Sequence, residues 1–552
     1  MHWADVVAQK LKETSGSMLT GGKNSGKHTI ATGITPSGHI HLGNMREILT
    51  GDIIQRAAKD IGLDVRLIYI GDTIDPLRKV YPFLDPSAYA EHVGKPLCDI
   101  PCPCGSHDNY AHHFLEPFLG ALDRLGVEHE TYLSHEMYKK GMYFEAADKV
   151  LTQSKRISEM LNTISSRDLE EGYVPYMAQC EKCGNIRDTE ATAYSRPIVS
   201  YRCKKCGNEG KVNIENGNGK LPWRLDWPAR WWFLGVTCEP FGKDHAAAGS
   251  SYDTGSAIVR EIFGREPPVP CVYEWIQLKG KGAMHSSTGL VVTAEQMLKM
   301  TPPEVMRFLL TKQNPGKHID FDPGLGILNL VDEYDRYERV FYGKEKGTAS
   351  ADQNRAFVLA QSNVKKIKDR TMKMGILESG DFEVVVKENQ MPAQIPYKNL
   401  VCITQITSDK AELGKIMKRA ERIDLGALTS EEQAGIWDRM VCVNYWLKNY
   451  APDEVKFALV SEVKPEVKAK FTPEDRKRLA KLRENLGKGS WDAEEIHRTI
   501  YDTAESMGEK GNAYFGLMYQ ILLAKERGPR LGFFLSTLDR EYVLKLMDQA
   551  LN

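Results

Sequence analysis

The stretch from Thr29 to Asp72 constrains the fold more than any other part of the chain. Thr29-Ile30-Ala31-Thr32-Gly33-Ile34 is a short apolar and β-branched run that reads as a buried strand. Thr35-Pro36-Ser37-Gly38 is a turn. From Leu42 onward Met45, Ile48, Leu49, Ile53 and Ala57 recur at helical spacing, and Val65 to Ile70 is a second strand ending at Gly71-Asp72. Strand, tight turn, helix and strand make a βαβ unit, which implies a parallel sheet. The chain has 552 residues, too long for one core, so two to four domains are expected. The α/β pattern breaks over about 99–220, a stretch rich in Cys, Gly and His that reads as an insertion. It returns near Trp223 and runs to about 322. Beyond that the chain reads as mostly helical; Ile436, Met440, Val443 and Leu447, for example, share one face.

Charge and cysteine usage narrow the function classes. The 73 Lys+Arg balance 74 Asp+Glu, so global charge announces no nucleic-acid partner and any polyanion site must be a local patch. No apolar run reaches the roughly 18 residues of a membrane span. Met1-His2-Trp3-Ala4-Asp5 does not begin a signal peptide, so the expectation is a cytoplasmic protein without a membrane partner. Seven of the eleven Cys lie between Cys98 and Cys206, a clustering that in a cytosolic chain points to metal.

Pro36-Ser37-Gly38-His39-Ile40-His41-Leu42-Gly43-Asn44 sits where the first strand ends and the helix begins. Free backbone N–H groups and the helix dipole make such a junction a natural anion site. His41 can donate a hydrogen bond to a phosphate oxygen, and Gly43 lets a flat base approach the backbone. This segment resembles the HIGH signature of class I aminoacyl-tRNA synthetases, in the form ending His41-Leu42-Gly43-Asn44. Further blocks resemble the lysine-specific, archaeal-type members of that class: Met1 to Asp5, Asp75-Pro76-Leu77-Arg78-Lys79-Val80, Trp223-Arg224-Leu225-Asp226-Trp227-Pro228, Phe241-Gly242-Lys243-Asp244-His245 and Gly528-Pro529-Arg530-Leu531-Gly532-Phe533. The Trp223 and His245 blocks carry the lysine-specific likeness. A near match to a P-loop, Gly21-Gly22-Lys23-Asn24-Ser25-Gly26-Lys27-His28, is set aside. His28 stands where the Mg²⁺-binding hydroxyl belongs, and the strand follows the glycines instead of preceding them.

The resemblance implies a Rossmann-type parallel-sheet catalytic domain in two halves, 1–98 and 221–322. A connective, zinc-binding insertion over 99–220 separates them. A helical stem over 323–400 and an α-helical anticodon-binding domain over 401–552 follow. The implied reaction has two steps. The lysine carboxylate attacks the α-phosphate of ATP, with Mg²⁺ bridging the phosphates, and a 3′-terminal ribose hydroxyl of tRNA(Lys) then takes the lysyl group. Here the protein orients reactants and stabilises phosphate charge. His41, Gly43 and Asn44 are the expected catalytic residues of the first junction; Pro36, Ser37, Gly38, His41, Gly43 and Met284 would hold ATP. Lysine carries an ammonium at each end, so its pocket should combine carboxylates or carbonyls with an aromatic face. Gly33, Thr35, Trp223, Asp226, His245 and Tyr273 are the candidates, with Asp72 and Asp75 as further acidic partners.

The family's second loop, KMSKS, corresponds to Lys279-Gly280-Lys281-Gly282-Ala283-Met284-His285-Ser286-Ser287-Thr288-Gly289. Ser286 and Ser287 match the pattern, but Ala283 and Thr288 stand where lysine-type members usually carry Lys. A missing cation at developing phosphate charge costs on the order of 2.7–4 kcal/mol, by analogy with a lost oxyanion donor. Lys279 or Lys281, just upstream, is expected to supply the charge; the alternative is a catalytically weakened, synthetase-like tRNA-binding protein. A third reading is a class I synthetase for another amino acid, glutamate being nearest by architecture.

Cys180-x₂-Cys183-x₁₉-Cys203-x₂-Cys206 has the spacing of two knuckles closing a tetrahedral Zn²⁺ site with no open position. A second cluster holds Cys98, Cys102, Cys104, His107, His112 and His113. The preferred ligands are Cys102, Cys104, His107 and His113, with Cys98 against Cys104 and His112 against His113 left open. Three basic stretches could meet tRNA phosphates: Lys365-Lys366-x-Lys368-x-Arg370, Lys415-x₂-Lys418-Arg419 and Arg476-Lys477-Arg478-x₂-Lys481-x-Arg483.

Overall fold

The strand β1 (His28–Ile34) is buried along its whole length apart from a partly exposed Gly33. That burial on both faces explains why its apolar residues run on without alternating. The computed structural model describes residues 1–18, 26–284, 291–347 and 350–552. Helix α1 (Leu42–Asp60) follows β1 and buries Leu42, Met45, Ile48, Leu49, Ile53 and Ala57 against the sheet. Gly51 sets how closely it can lie. A Cβ there would stand 2.9 Å from Leu67 Cδ1 and 3.1 Å from Thr32 Cγ2. Strand β2 (Val65–Gly71) pairs parallel with β1, Ile30 opposite Leu67 and Gly33 opposite Ile70.

Helix α2 (Tyr110–Arg124) leads into a short strand β3 (Glu130–Leu133), which pairs parallel with β2. Helix α3 (Trp223–Phe233) precedes β4 (Cys238–Gly242), which returns beside β1 with Ile30 opposite Cys238. Strand β5 (Val269–Tyr273) adds parallel to β4. The sheet order is thus β5-β4-β1-β2-β3. Chain connections leave β1 and β4 in opposite directions, so a crevice opens at their carboxyl ends, where open α/β sheets bind ligands.

The Rossmann-type sheet was expected, and the structure corrects its limits. Strand β3 lies inside 99–220, so that stretch is not wholly an insertion. The inserted part carries a three-stranded antiparallel sheet (Thr189–Ser195, Ile198–Cys203, Glu209–Asn213) and a small pair, Met177–Ala178 with Gly219–Lys220. The described chain gathers into two compact units. The first holds Met1–Leu298, Pro303–Phe321 and Tyr337–Gln390; the second holds Lys299–Pro302, Asp322–Arg336 and Met391–Asn552. The expected helical stem over 323–400 is therefore divided, and it contains a β-hairpin, Thr371–Ile376 with Phe382–Val386.

Buried ion pairs fasten the later segments of the first unit to α1. Arg307 bonds Asp52 at 2.6 Å and Arg355 bonds Asp60 at 2.7 Å, both arginines being almost wholly enclosed. In the second unit every described element is a helix. Its helix Ser430–Asn449 buries Ile436, Met440 and Val443 as expected, with Trp446 beside them, while Leu447 is half-buried. Among the described residues no helix is long and apolar enough to cross a membrane.

Candidate active site

A cleft of about 470 Å³ occupies the crevice at the carboxyl ends of β1, β4 and β5. Gly33, Thr35 and Ser37 come from β1 and its turn, His41, Gly43, Asn44 and Glu47 from the start of α1, His245 from beyond β4, and Tyr273 and Trp275 from the end of β5. Met284 reaches it from the hairpin beyond. Residues expected from two separate stretches of sequence thus meet in one place. Pro36 and Gly38 do not line it; both are buried in the turn, whose Ser37 carbonyl accepts a 2.8 Å hydrogen bond from the Tyr110 hydroxyl. Lys279 and Lys281 stand exposed between Ile276–Leu278 and Gly282–Ala283, outside the lining. Ser286, Ser287 and Thr288 lie outside the described residues.

The start of α1 is built around His41. Its Nδ1 accepts from the Gly43 amide at 3.1 Å, and the Asn44 side-chain oxygen accepts from the His41 amide at 3.3 Å, a reciprocal cap. With Nδ1 an acceptor, the proton of the neutral ring sits on Nε2. A Cβ on Gly43 would stand 2.8 Å from His41 Cε1, so the glycine first makes room for this imidazole.

Glu47 is a site residue that the sequence reading missed. One carboxylate oxygen accepts from the Gly33 amide at 2.7 Å and the other from the Tyr273 hydroxyl at 2.8 Å. Burial, with Asp72 and Asp244 nearby, outweighs those two hydrogen bonds and pushes its carboxyl up to about 7. Its neighbour Arg46 points the other way and ties the chain after β5, donating to the carbonyls of Glu274 at 2.5 Å, Pro315 at 2.9 Å and Lys317 at 2.9 Å.

Two expected pocket residues lie behind the wall instead. Trp223 stacks on Trp227 at 5.2 Å between centroids and stands 6.1 Å from His245. Asp226 is fully buried, held by Arg230 Nε at 2.5 Å and by the hydroxyls of Tyr138 at 2.7 Å and Tyr143 at 3.0 Å. Arg230 also pairs with Asp72, and Lys220 with Asp75. An apolar helix face around a carboxylate demands such partners, which is why Asp226 points inward.

The two cysteine-rich clusters each bring four ligand atoms within 4.8 Å of one another: Cys180, Cys183, Cys203 and Cys206, and Cys102, Cys104, His107 and His113. Close approaches among them include 3.2 Å (Cys104 Sγ to His113 Nδ1) and 3.6 Å (Cys180 Sγ to Cys206 Sγ). Bond lengths of about 2.3 Å to sulfur and 2.0–2.1 Å to nitrogen give a tetrahedron with edges of roughly 3.3–3.8 Å, so both donor sets fit. Cys98 is not among these ligand groups. Its thiol stands by Asp99 at 3.6 Å, and burial pushes it well up.

The family model for class I (K) tRNA synthetases matches residues 1–363. The chain belongs to that family. Three similar relatives carry the name lysine–tRNA ligase. They come from Picrophilus torridus (40 % identical, 100 % of this chain and 99 % of the relative covered), Archaeoglobus fulgidus (40 %, 100 % and 100 %) and Methanosarcina barkeri (41 %, 100 % and 98 %). As a member of this family the synthetase uses ATP. The basic stretches of the synthetase are less available than their sequence suggests. Arg476 donates to the carbonyl of Ala550 at 3.0 Å, Arg478 grips Glu509 and Arg483 grips Asp548, both at 2.8 Å. Arg419 is likewise engaged with the carbonyls of Ser536 and Thr537. Lys365, Lys366, Lys368 and Arg370 belong to the first unit, not to the C-terminal helices.

Proposed function

We infer that the protein is a lysine–tRNA ligase that forms lysyl-adenylate from lysine and ATP and passes the lysyl group to the 3′ end of tRNA(Lys). The observation that carries this reading is a contrast across one cleft. On one side the N-terminal, positive pole of α1 meets the cleft, with His41, Gly43 and Asn44 lining it, and favours an anion such as the ATP phosphates. On the other, Glu47 has two neutral hydrogen-bond partners and a raised carboxyl, so a cation is what would ionise it and complete the site. An ammonium group of the amino-acid substrate supplies that cation. Full-length likeness to relatives named lysine–tRNA ligase supports the same substrate.

In this reading Asn44 and Gly43 hold the His41 ring so that it meets phosphate oxygens, and Ser37 and Met284 flank the nucleotide. Gly33, Thr35, Glu47, His245 and Tyr273 surround lysine; Trp223 supports His245 from behind. Mg²⁺ accompanies ATP, and bound there it neutralises phosphate charge. Zn²⁺ would be held by the two four-ligand clusters, where it would pin together the loops that carry the ligands. A cytoplasmic location accompanies this role. The test is ATP–pyrophosphate exchange with each of the twenty amino acids, with and without tRNA. Exchange confined to lysine supports the reading; exchange driven by glutamate, or by none, overturns it.

A further inference from the structure

Behind the cleft lies a chain of contacts that the reaction as described does not use. The Thr35 hydroxyl donates to Asp75 Oδ2 at 2.7 Å. A hydroxyl has a single proton, so with that proton turned inward the oxygen offers the cleft lone pairs alone. Asp75 Oδ1 is held in turn by the Lys220 ammonium, which is 3 % exposed. Asp226 stands behind Lys220 at 3.9 Å and is itself fixed by Tyr138, Tyr143 and Arg230. Lys220 reaches this position from the strand pair Met177–Ala178 with Gly219–Lys220, so the inserted segment supplies the cation that anchors the relay.

We propose that Lys220 and Asp75 are positioning residues that make Thr35 an obligate hydrogen-bond acceptor, and that this acceptor selects an ammonium group of the amino-acid substrate. The proposal rests on the lysine reading of the cleft. Burial would raise the Asp75 carboxyl, but Lys220 and the hydrogen bonds from Lys220 and Thr35 hold it below its ordinary value, so it stays an acceptor and keeps the threonine proton. An asparagine at position 75 could donate to Thr35 instead, freeing the hydroxyl proton to face the cleft and meet an ammonium donor to donor.

The test uses the full chain in lysine-dependent pyrophosphate exchange. Inhibition by two lysine analogues is measured alongside, each with one ammonium replaced by a hydroxyl. Thr35→Val raises the lysine KM about ten-fold or more, the size of a lost hydrogen bond to a charged group, while the ATP KM stays within about two-fold; Thr35→Ser restores it. Asp75→Asn and Lys220→Met raise the lysine KM to a similar degree. They weaken discrimination against one hydroxyl analogue, the same one in both variants. In a Thr35→Val background Asp75→Asn adds less than about two-fold, because the residue it acts through is gone. Multiplicative effects in that background, or equal rises in the lysine and ATP KM, overturn the proposal. Should Lys220→Met not fold, the Thr35 and Asp75 variants decide alone. Should wild-type exchange require another amino acid, the lysine reading falls and the same non-additivity on that amino acid judges the relay.

Discussion

Replacing Glu47 by Gln removes a charge while keeping the shape of the cleft. The amide oxygen can still accept from the Gly33 N–H, and the amide nitrogen can donate to Tyr273 once its hydroxyl turns round. What is lost is a charged contact to lysine, worth about 1.5–3 kcal/mol, so the lysine KM should rise roughly 10–150-fold with little change in the ATP KM. The raised carboxyl adds a pH signature. Its value near 7 means that below neutrality a proton must leave before an ammonium binds, so lysine affinity falls about ten-fold per unit there. Stability runs the other way. A carboxyl raised from 4.5 to about 7 on folding favours the folded state when protonated, fully below 4.5, and loses that contribution as pH climbs through 7. The loss is at most about 3 kcal/mol, and less where cleft water screens the charge. The Gln variant should therefore match wild type near pH 4.5 and exceed it in ligand-free unfolding free energy above pH 7. Exchange kinetics from about pH 5.5 to 8.5 and urea unfolding at the same pH values check both. Superimposable kinetic profiles for the two proteins, or a lysine KM changed less than two-fold, would refute the reasoning.

Native mass spectrometry should find two zinc ions per chain, with Cys183→Ser and Cys104→Ser each losing one and lowering the melting temperature. Gly126→Ala should be strongly destabilising in thermal unfolding, since its φ of +66° is strained for alanine and a Cβ would fall 1.9 Å from the Ser362 carbonyl oxygen. Asp52→Asn should cost about 3–5 kcal/mol in denaturant unfolding by stranding the enclosed Arg307 guanidinium. Lys281→Ala should slow lysine-dependent exchange at saturating substrates by about 100-fold if this residue supplies the missing phosphate cation; unchanged exchange assigns that part elsewhere.

The βαβ unit was legible because its periodicities are local: a short apolar run, a turn and a helical stripe all lie within about 45 residues of one another. Strand β3 was not, since four residues with two exposed side chains carry no pattern and owe their conformation to β2 beside them. The cysteine knuckles were legible from spacing, whereas the choice of Cys104 over Cys98 needed the fold of the loop between Ile100 and Tyr110. Glu47 was hidden by being an ordinary polar position on a helix. Its position four residues after Gly43 places both on one face, a sign of cleft exposure, but its partner Tyr273 is 226 residues away. The basic run Arg476 to Arg483 shows the opposite failure: two of the acids that engage it, Glu509 in a later loop and Asp548 on the last helix, are distant in sequence and invisible in a local reading of charge.

The sheet order also bears on how the protein is made. Strand β1 ends at Ile34, yet its second neighbour, β4, begins only at Cys238. At 5–20 residues per second the ribosome takes roughly 10–40 s to deliver the intervening two hundred or so residues. Throughout that interval one flank of a strand that ends up buried has no complement, while the cysteine knuckles emerge and can capture their metal. Nascent chains should therefore pass through a stage in which the metal module is assembled before the nucleotide cleft exists, with the bare flank of β1 as the surface most in need of a chaperone.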